Sequence, residues 1–383
     1  MEEIIARYNP WWESQAKFGY KKRGIAEELL KTADSNFITV ITGLRRAGKT
    51  TLMRMIIEEM IKRGTDSGKI LYLSLDNVGL MEKSLPELVE IFRKMKSLKF
   101  RDKIYLFFDE ISYRKNYEIE AKNLFDMGNV KLFISSSSAS ILKSKTPYLT
   151  GRTKTFIVEP LDFKEFLDFR NISIGREDSH LYEKYFENYL EIGGMPEYVL
   201  NEDETMMSEL IMQILYKDII APNDIREHKT VVELFRLLCE RVGKPVTYNK
   251  LASVLRTTPD SIKKYISLFE EVYLFYSIEK CAPSLNERIY SPKKIYIGDI
   301  GLRNVTTGFK DKGSAYENLV FLKVKNHNPR YCLQNGAEID FAFGDTLIEA
   351  KYGREMNEKQ KELFNNLKYR KKLLADGHNF FLK

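Results

Sequence analysis

Cysteine and histidine are scarce in this sequence of 383 residues, which contains 3 Cys and 4 His. Cys239, Cys281 and Cys332 stand far apart along the chain. Isolated cysteines of this kind indicate neither a disulfide framework nor a zinc site. The few histidines argue in the same way against a His-rich metal centre.

Long hydrophobic runs are also missing. No uncharged run approaches the roughly 18 residues needed to span a bilayer, and no N-terminal apolar segment resembles a signal peptide. We therefore expect a cytoplasmic chain without a membrane partner. A hydrophobic content of 43% excludes a mostly disordered protein, and the length predicts roughly two to four domains. The formal net charge of +7 is compatible with nucleic-acid binding but does not require it, because the charge is spread along the chain.

The octapeptide GLRRAGKT, Gly43–Thr50, fits the pattern G-x-x-x-x-G-K-[ST] at every position. An apolar, β-branched run at Phe37–Thr42 predicts a strand before it, and an amphipathic run after it predicts a helix starting near Lys49. Gly43 and Gly48 let the backbone turn its N–H groups towards phosphate oxygens. The positive N-terminal end of the helix would also attract the phosphates. The sequence thus predicts a phosphate-binding loop. An ordinary strand–turn–helix with a surface lysine is the alternative.

Individual roles follow from this pattern. Lys49 is expected to reach the β- and γ-phosphates of a nucleotide, and Thr50 to hold Mg²⁺. Arg45 and Arg46 could touch phosphate or an acidic group of a partner, or could simply be solvated. The residues expected to bind the nucleotide are Gly43, Leu44, Arg45, Arg46, Ala47, Gly48, Lys49, Thr50 and Thr51.

Two acids end the apolar run KIYLFFDEIS at Lys103–Ser112. A continuous apolar run suits a parallel strand that is buried on both faces. Asp109 is expected to bind the Mg²⁺, commonly through water, and Glu110 to polarise the attacking water. The pair therefore predicts hydrolysis rather than binding alone, although a buried strand with a polar end would look similar.

A further strand is predicted within Asn129–Ser140, beside the Asp109 strand. Its serine-rich end is expected to face the γ-phosphate. Ser136 is the expected catalytic residue, and Ser135 and Ser137 are the alternatives. Arg152 follows and could stabilise transition-state charge in its own subunit or in a neighbour's, unless it is solvated. With another strand predicted within Lys69–Asn77, these elements favour an α/β sheet that binds nucleotide at the carboxyl ends of its strands.

By these motifs, and by others that follow in a set order, the chain resembles the AAA-related ATPases of archaea and bacteria that carry a C-terminal domain of unknown function. The additional motifs are VEPLDFKEFL (Val158–Leu167), YLEIGGMPEYVL (Tyr189–Leu200), LYKDII (Leu215–Ile220), YIGDIGLRN (Tyr296–Asn304) and YENLVFLKV (Tyr316–Val324). The resemblance implies an AAA-like domain at residues 1–160 that binds and hydrolyses ATP with Mg²⁺. It also implies a helical lid at residues 161–229.

Residues 230–285 show the pattern of three helices followed by a strand, which predicts a winged helix-turn-helix. Thr258 is the expected N-cap of the third helix. Lys263 and Lys264 on that helix, and Arg256 before it, suit contacts with DNA phosphates. A module used for packing or for subunit contact is the alternative.

The last segment, residues 286–383, is predicted to be an α/β domain with a turn at Asn335-Gly336. An acid on one strand and Glu-x-Lys on the next look like the core of PD-(D/E)xK, or restriction-endonuclease-like, nucleases. Asp340, Glu349 and the helix-borne Glu317 would hold Mg²⁺, with Lys351 as the catalytic lysine. An inactive nucleic-acid-binding remnant and a coincidental charged hairpin remain open. Residues 357–378 are predicted to be one basic helix.

Together these patterns predict an AAA-type ATPase that acts on DNA through its winged helix and nuclease-like domain. The alternative is a nucleotide-gated switch that binds a protein partner and carries an inactive nuclease-like domain. Either form could be a homo-oligomer.

Overall fold

The computed structural model describes residues 1–14, 18–138 and 148–382. The chain divides into two compact units, an N-terminal unit, Met1–Glu159, and a C-terminal unit, Pro160–Lys383. The three later domains expected from the sequence all fall in the second unit. In the described part of the chain, no helix combines the length and the apolar character that crossing a membrane requires.

The N-terminal unit alternates strands and helices. Its strands are β1 (Ile38–Thr42), β2 (Ile70–Ser74), β3 (Ile104–Asp109), β4 (Val130–Ser136) and β5 (Thr153–Ile157). Its helices are α1 (Glu2–Tyr8), α2 (Ile25–Leu30), α3 (Lys49–Lys62), α4 (Leu85–Met95) and α5 (Tyr117–Asp126). Short 3₁₀ turns lie at Pro10–Trp12, Lys31–Asp34, Ser67–Lys69, Val78–Leu80 and Ile111–Tyr113.

Within the described residues, these strands form one sheet in the order β2-β3-β4-β1-β5, with every neighbouring pair parallel. Every residue of β1 is buried, its two threonines included, as expected of an inner strand of a parallel sheet whose two faces are covered by helices. The predicted strands within Lys69–Asn77, Lys103–Ser112 and Asn129–Ser140 are confirmed, and the last does pair with the Asp109 strand. Residues 139 and 140 of that prediction lie outside the described residues.

The edge strand β2 is covered by the N-terminal segment. The buried side chain of Asn9 donates from its Nδ2 to the Tyr72 carbonyl at 2.9 Å and accepts from the Tyr72 N–H at 2.7 Å. Trp12 donates from its indole to the Ile70 carbonyl at 3.0 Å. These side chains satisfy edge groups that would otherwise be open to pairing with another strand.

The C-terminal unit begins with helices and ends with two small sheets. Its helices are α6 (Phe163–Phe169), α7 (Leu181–Ile192), α8 (Pro196–Asn201), α9 (Glu204–Gln213), α10 (His228–Glu240), α11 (Tyr248–Leu255), α12 (Pro259–Glu271), α13 (Leu285–Tyr290), α14 (Ile300–Thr307), α15 (Lys312–Val324), α16 (Glu358–Asn366) and α17 (Asn379–Leu382). A π-helix continues α9 at Ile214–Ile220, and 3₁₀ turns lie at Ala221–Asn223 and Lys325–His327. Its strands are β6 (Pro245–Val246), β7 (Phe275–Ile278), β8 (Lys293–Ile297), β9 (Arg330–Gln334), β10 (Ala337–Phe343), β11 (Thr346–Lys351) and β12 (Lys371–Asp376).

Strands β6, β8 and β7 form a three-stranded antiparallel sheet in that order, counted over the described part of this unit. Helices α10, α11 and α12 precede β7, and Thr258 caps α12 by accepting from the Ser261 N–H at 3.1 Å. Strand β8, which follows the predicted boundary at residue 285, pairs with two strands that precede it.

A second sheet, four-stranded over the same described residues, has the order β12-β11-β10-β9. The predicted hairpin at Asn335-Gly336 is confirmed, since β9 and β10 pair antiparallel across it. The predicted single helix over residues 357–378 is wrong. Only Glu358–Asn366 is helical, and Lys371–Asp376 is a strand that pairs parallel with β11. Pairing with an existing sheet edge has overridden the local helical pattern.

Two of the motifs that carry the family resemblance meet at Asp299. Its buried carboxylate accepts from the N–H groups of Gly194 at 2.7 Å, Gly301 at 2.9 Å and Leu302 at 3.3 Å. A Cβ at Gly301 would lie 2.0 Å from the Ile192 carbonyl oxygen, so only glycine permits this approach of α14 to the end of α7. The motifs are structural here, because they join two helices.

Cys281 and Cys332 are neighbours in space, although the sequence separates them. The Cys281 N–H donates to the Tyr331 carbonyl at 2.7 Å, and the two sulfur atoms are in contact as free thiols. A β-bridge between residues 280 and 331 brings these two thiols together despite their separation in the sequence.

We expect Asp299→Ala to lower the free energy of unfolding by about 3 kcal/mol or more, because three buried N–H groups lose their acceptor. Urea unfolding followed by circular dichroism measures the change. Asp345→Ala is the matched control, since the side chain of Asp345 is 69% exposed. Equal stability of the two variants would contradict the role of Asp299.

Candidate functional site

The phosphate loop, Gly43–Thr50, connects the carboxyl end of β1 to the start of α3. A Cβ at Gly43 would lie 2.3 Å from the Val158 carbonyl oxygen, so a side chain cannot fit there. Gly48 has φ 103°, a conformation that side-chain-bearing residues rarely adopt. The two glycines of the motif thus have different tasks: the first permits close packing against the chain after β5, and the second permits the turn into the helix.

Two cationic side chains at the loop donate hydrogen bonds to backbone carbonyls. Lys49 is buried, and its Nζ donates to the carbonyls of Gly43 at 3.0 Å and Leu44 at 3.1 Å. Arg23 donates to the carbonyls of Ala47 at 3.1 Å and Glu159 at 2.8 Å. Arg23 therefore braces the loop from the N-terminal segment, a role for which the sequence motif carries no signal.

Asp109 is surrounded by hydroxyl groups. Thr50 donates from Oγ1 to Asp109 Oδ2 at 2.5 Å, and Tyr72 donates from its phenol to the same oxygen at 2.7 Å. Ser135 donates to the other oxygen, Oδ1. Burial, and then the charge of Asp109, raise the pKa of Tyr72, so its phenol stays protonated and remains a donor. The predicted partners Thr50 and Asp109 are thus in direct contact.

Glu110 follows β3 in a left-handed conformation, with φ 52°. Its backbone N–H donates to Ser135 Oγ at 2.9 Å, and its carboxylate accepts from Ser137 Oγ at 2.9 Å. Burial raises the pKa of Glu110, partly opposed by the positive charge of Lys49. A carboxylate with a raised pKa is a stronger base, as activation of water requires.

The choice of Ser136 as the catalytic serine is not supported by these contacts. Ser136 Oγ accepts from the Ser138 N–H at 3.1 Å, whereas Ser135 and Ser137 bond to the two acids. Successive side chains along an extended chain point to opposite faces of the sheet. Ser135 and Ser137 therefore share the face on which they contact the two acids, and Ser136 points to the other face. The alternation rule could have excluded Ser136 once the pairing with β3 was known.

Arg152 does not lie near the loop of its own chain. Its carbonyl accepts from the Ile38 N–H at 2.8 Å, at the start of β1, and its side chain pairs with Asp126 at 3.3 Å. The phosphate loop begins after the other end of β1, roughly 15 Å away for a five-residue strand. Arg152 therefore cannot act at the phosphate loop of its own subunit. Parallel strands all start at the side of the sheet opposite to the one where they end, and the loop lies where β1 ends.

The acids predicted in the last segment are brought together in the C-terminal unit, but with lysines among them. Lys351 pairs with Glu349 at 2.6 Å, as expected for residues on one strand face. Lys294 on β8, which the sequence pattern did not single out, pairs with Glu317 at 2.7 Å and Asp340 at 3.1 Å. Burial raises the pKa of Glu317 to about 7 and that of Glu349 to about 8.

Comparison with known proteins agrees with this geometry. Residues 35–167 match a family described as an AAA domain, and residues 183–313 match a domain of unknown function, DUF8612. An uncharacterized protein of Methanocaldococcus jannaschii, MJ1544, is 31% identical over 351 residues, which cover 85% of this chain and 77% of that protein. The chain belongs to the same family. These findings support an ATPase of the AAA kind.

Two further similarities have lower sequence identity. An uncharacterized protein of Haemophilus influenzae is 27% identical to this AAA-domain chain over 372 residues, 92% of each sequence. Among solved structures, AMPPCP-bound DnaA from Aquifex aeolicus aligns with 64% of this chain and 86% of its own at 19% identity. The TM-score of that alignment, 0.30, is too low to show a shared overall fold.

We expect Ser135→Ala and Ser137→Ala each to slow ATP hydrolysis about 10-fold, because each removes a bond that orients an acid of the site. Ser136→Ala is the matched control on the same strand and should leave the rate nearly unchanged. Phosphate release at saturating ATP measures all three. A larger loss in Ser136→Ala than in the other two would restore Ser136 as the catalytic serine.

Proposed function

We propose that this chain binds ATP with Mg²⁺ at the phosphate loop and hydrolyses it. The observation that carries the proposal is the contact of Thr50 with Asp109, with Glu110 held beside them by Ser137. A hydroxyl and a carboxylate oxygen at the end of a parallel sheet are ligands of the type that Mg²⁺ prefers. This donor set fits a nucleotide-bound magnesium ion.

Different residues of the site would contact the phosphates, the metal ion and the attacking water. The backbone N–H groups of Gly43–Thr51 and the Lys49 ammonium would hold the phosphates, and Thr50 and Asp109 would hold the metal. Mg²⁺, when bound, would neutralise the charge on the phosphate oxygens. Glu110 would orient and deprotonate the attacking water. Arg152 could complete the site only of a neighbouring subunit, which would require a homo-oligomer.

We expect Lys49→Ala to abolish nucleotide binding, because the variant lacks the buried cation that faces the phosphates. Lys62→Ala, on the same helix with a side chain that is 59% exposed, is the matched control and should bind normally. Calorimetry with ATP and Mg²⁺ reports both affinities. Binding by Lys49→Ala as tight as that of the control would refute the proposed site.

Glu110→Gln should retain ATP binding but slow hydrolysis by about 10²- to 10⁴-fold, because the amide cannot accept the proton of the attacking water. Single-turnover phosphate release separates this effect from binding. Full turnover in this variant would assign the base to another group.

We further propose that the C-terminal unit binds DNA through a winged helix. The order of α10, β6, α11, α12, β7 and β8, with the sheet order β6-β8-β7, supports this inference. Helix α12 would enter the major groove, and residues 279–292 between β7 and β8 would be the wing. Lys263 and Lys264 on α12, and Arg256, which follows α11, would contact DNA phosphates, and both lysines are exposed.

The DNA proposal predicts that Lys263→Ala/Lys264→Ala weakens DNA binding and lowers the slope of log affinity against log salt concentration by about 2, one for each phosphate that the variant no longer neutralises. The matched control is Lys69→Ala/Lys99→Ala, which removes two lysines from the N-terminal unit. Fluorescence anisotropy with a short duplex at several salt concentrations gives both slopes. Identical slopes, with ATP turnover insensitive to DNA, would favour the nucleotide-gated switch with a protein partner.

A further inference from the structure

The ammonium group of Lys294 lies inside the acid cluster of the last segment, defined as Glu317, Glu338, Asp340 and Glu349. Its side chain is fully buried. Nζ lies 2.7 Å from Glu317 Oε1, 2.7 Å from Glu338 Oε1 and 3.1 Å from Asp340 Oδ1. An ammonium group has three N–H donors. Each donor of Lys294 therefore has its own carboxylate.

The oxygens of the two central acids are also occupied. The second oxygen of Asp340, Oδ2, accepts from the Ala350 N–H at 3.0 Å. Glu349 Oε2 accepts from the Asp340 N–H at 3.2 Å, and Glu349 Oε1 accepts from Lys351 at 2.6 Å and Gln360 at 3.0 Å. Each of these four carboxylate oxygens thus has a donor from the protein itself.

A divalent metal ion does not fit this arrangement. Mg²⁺ needs several oxygens at 2.0–2.1 Å in octahedral geometry, and here a buried positive charge already contacts three of the acids. Two cations in one poorly solvated cluster would repel each other strongly. Over the described ranges, no group of three or more His, Cys, Asp or Glu side chains is arranged to hold a metal.

Lys294 is also held in place by its strand. β8 is the middle strand of its sheet, and Lys294 pairs with Pro245 on one side and Ile278 on the other. Burial by itself lowers the pKa of Lys294, but Glu317, together with Tyr296, Asp340 and Glu338, outweighs it and raises that pKa well above the ordinary value. Neither loss of the proton nor a local swing of the side chain would readily free the site.

We infer that Lys294 takes the position of the divalent cation in the acid cluster, so that the nuclease-like segment holds no metal there and does not cleave phosphodiester bonds at this cluster. The lysine comes from the sheet of the proposed winged helix, while the acids Glu338, Asp340 and Glu349 come from the second sheet. Lys294 therefore joins the two sheets through charge where a nuclease would bind its metal. This inference is independent of ATP turnover.

The test is Mn²⁺ binding to the full chain without nucleotide, measured by the loss of the free-ion EPR signal. Wild type and Asp340→Asn should take up the same amount of Mn²⁺. Lys294→Met, which keeps the length of the side chain and removes its charge, should bind one additional ion per chain, and adding Asp340→Asn should abolish that gain. Lys293→Met, the neighbouring lysine whose Nζ pairs with Glu279 at 3.0 Å, is the matched control and should gain none.

Two outcomes would overturn the inference. One is Mn²⁺ uptake, or Mn²⁺-dependent DNA cleavage, by wild type that Asp340→Asn removes. The other is a Lys294→Met variant with a native circular dichroism spectrum and no additional Mn²⁺. If Lys294→Met does not fold, Lys294→Gln replaces it. The comparison of wild type with Asp340→Asn decides the matter without either lysine variant, and equal uptake supports the inference.

Discussion

The parallel pairing of β3 with β4 and of β4 with β1 is the constraint on which the candidate site depends. The carboxyl ends of parallel strands lie at the same side of the sheet, so the phosphate loop, Asp109 with Glu110, and the serines at the end of β4 meet there although the loop is roughly 60 to 90 positions from the other two groups in the sequence. The same rule sends Arg152, which precedes β5, to the opposite edge. One topological fact therefore both assembles the site and excludes a residue from it.

Hydroxyl groups donate hydrogen bonds to both acids at this end of the sheet. Asp109 accepts from Thr50, Tyr72 and Ser135, and Glu110 accepts from Ser137. Lys49 and Arg23 also donate to backbone carbonyls of the loop. Hydrogen bonds from neutral hydroxyls orient a carboxylate and bring no formal positive charge against it.

The acids of the C-terminal unit, in contrast, form ion pairs with lysines. Lys294 and Lys351 bring positive charge directly against them, and the remaining oxygens accept from backbone and amide donors. Removing one partner from such a buried network is strongly destabilising, because it leaves a charge without compensation. The contrast between the two clusters lies in the donors around them and not in the acids, which explains why a pattern of acids alone cannot tell them apart.

Local sequence determined the phosphate loop, the strand that ends in Asp109 and Glu110, the hairpin at Asn335-Gly336 and the cap at Thr258. Each of these depends on neighbouring residues and on a period of 2 or 3.6, which a sequence displays directly. Only the tertiary structure decided that Ser135 and Ser137 rather than Ser136 face the acids, that residues 371–376 form a strand, and that Tyr72 and Arg23 belong to the site. Only the fold, likewise, brought Lys294 into contact with acids up to 46 positions away. These outcomes depend on which strand lies beside which, and strand pairing is set by burial of the whole sheet and not by any local pattern.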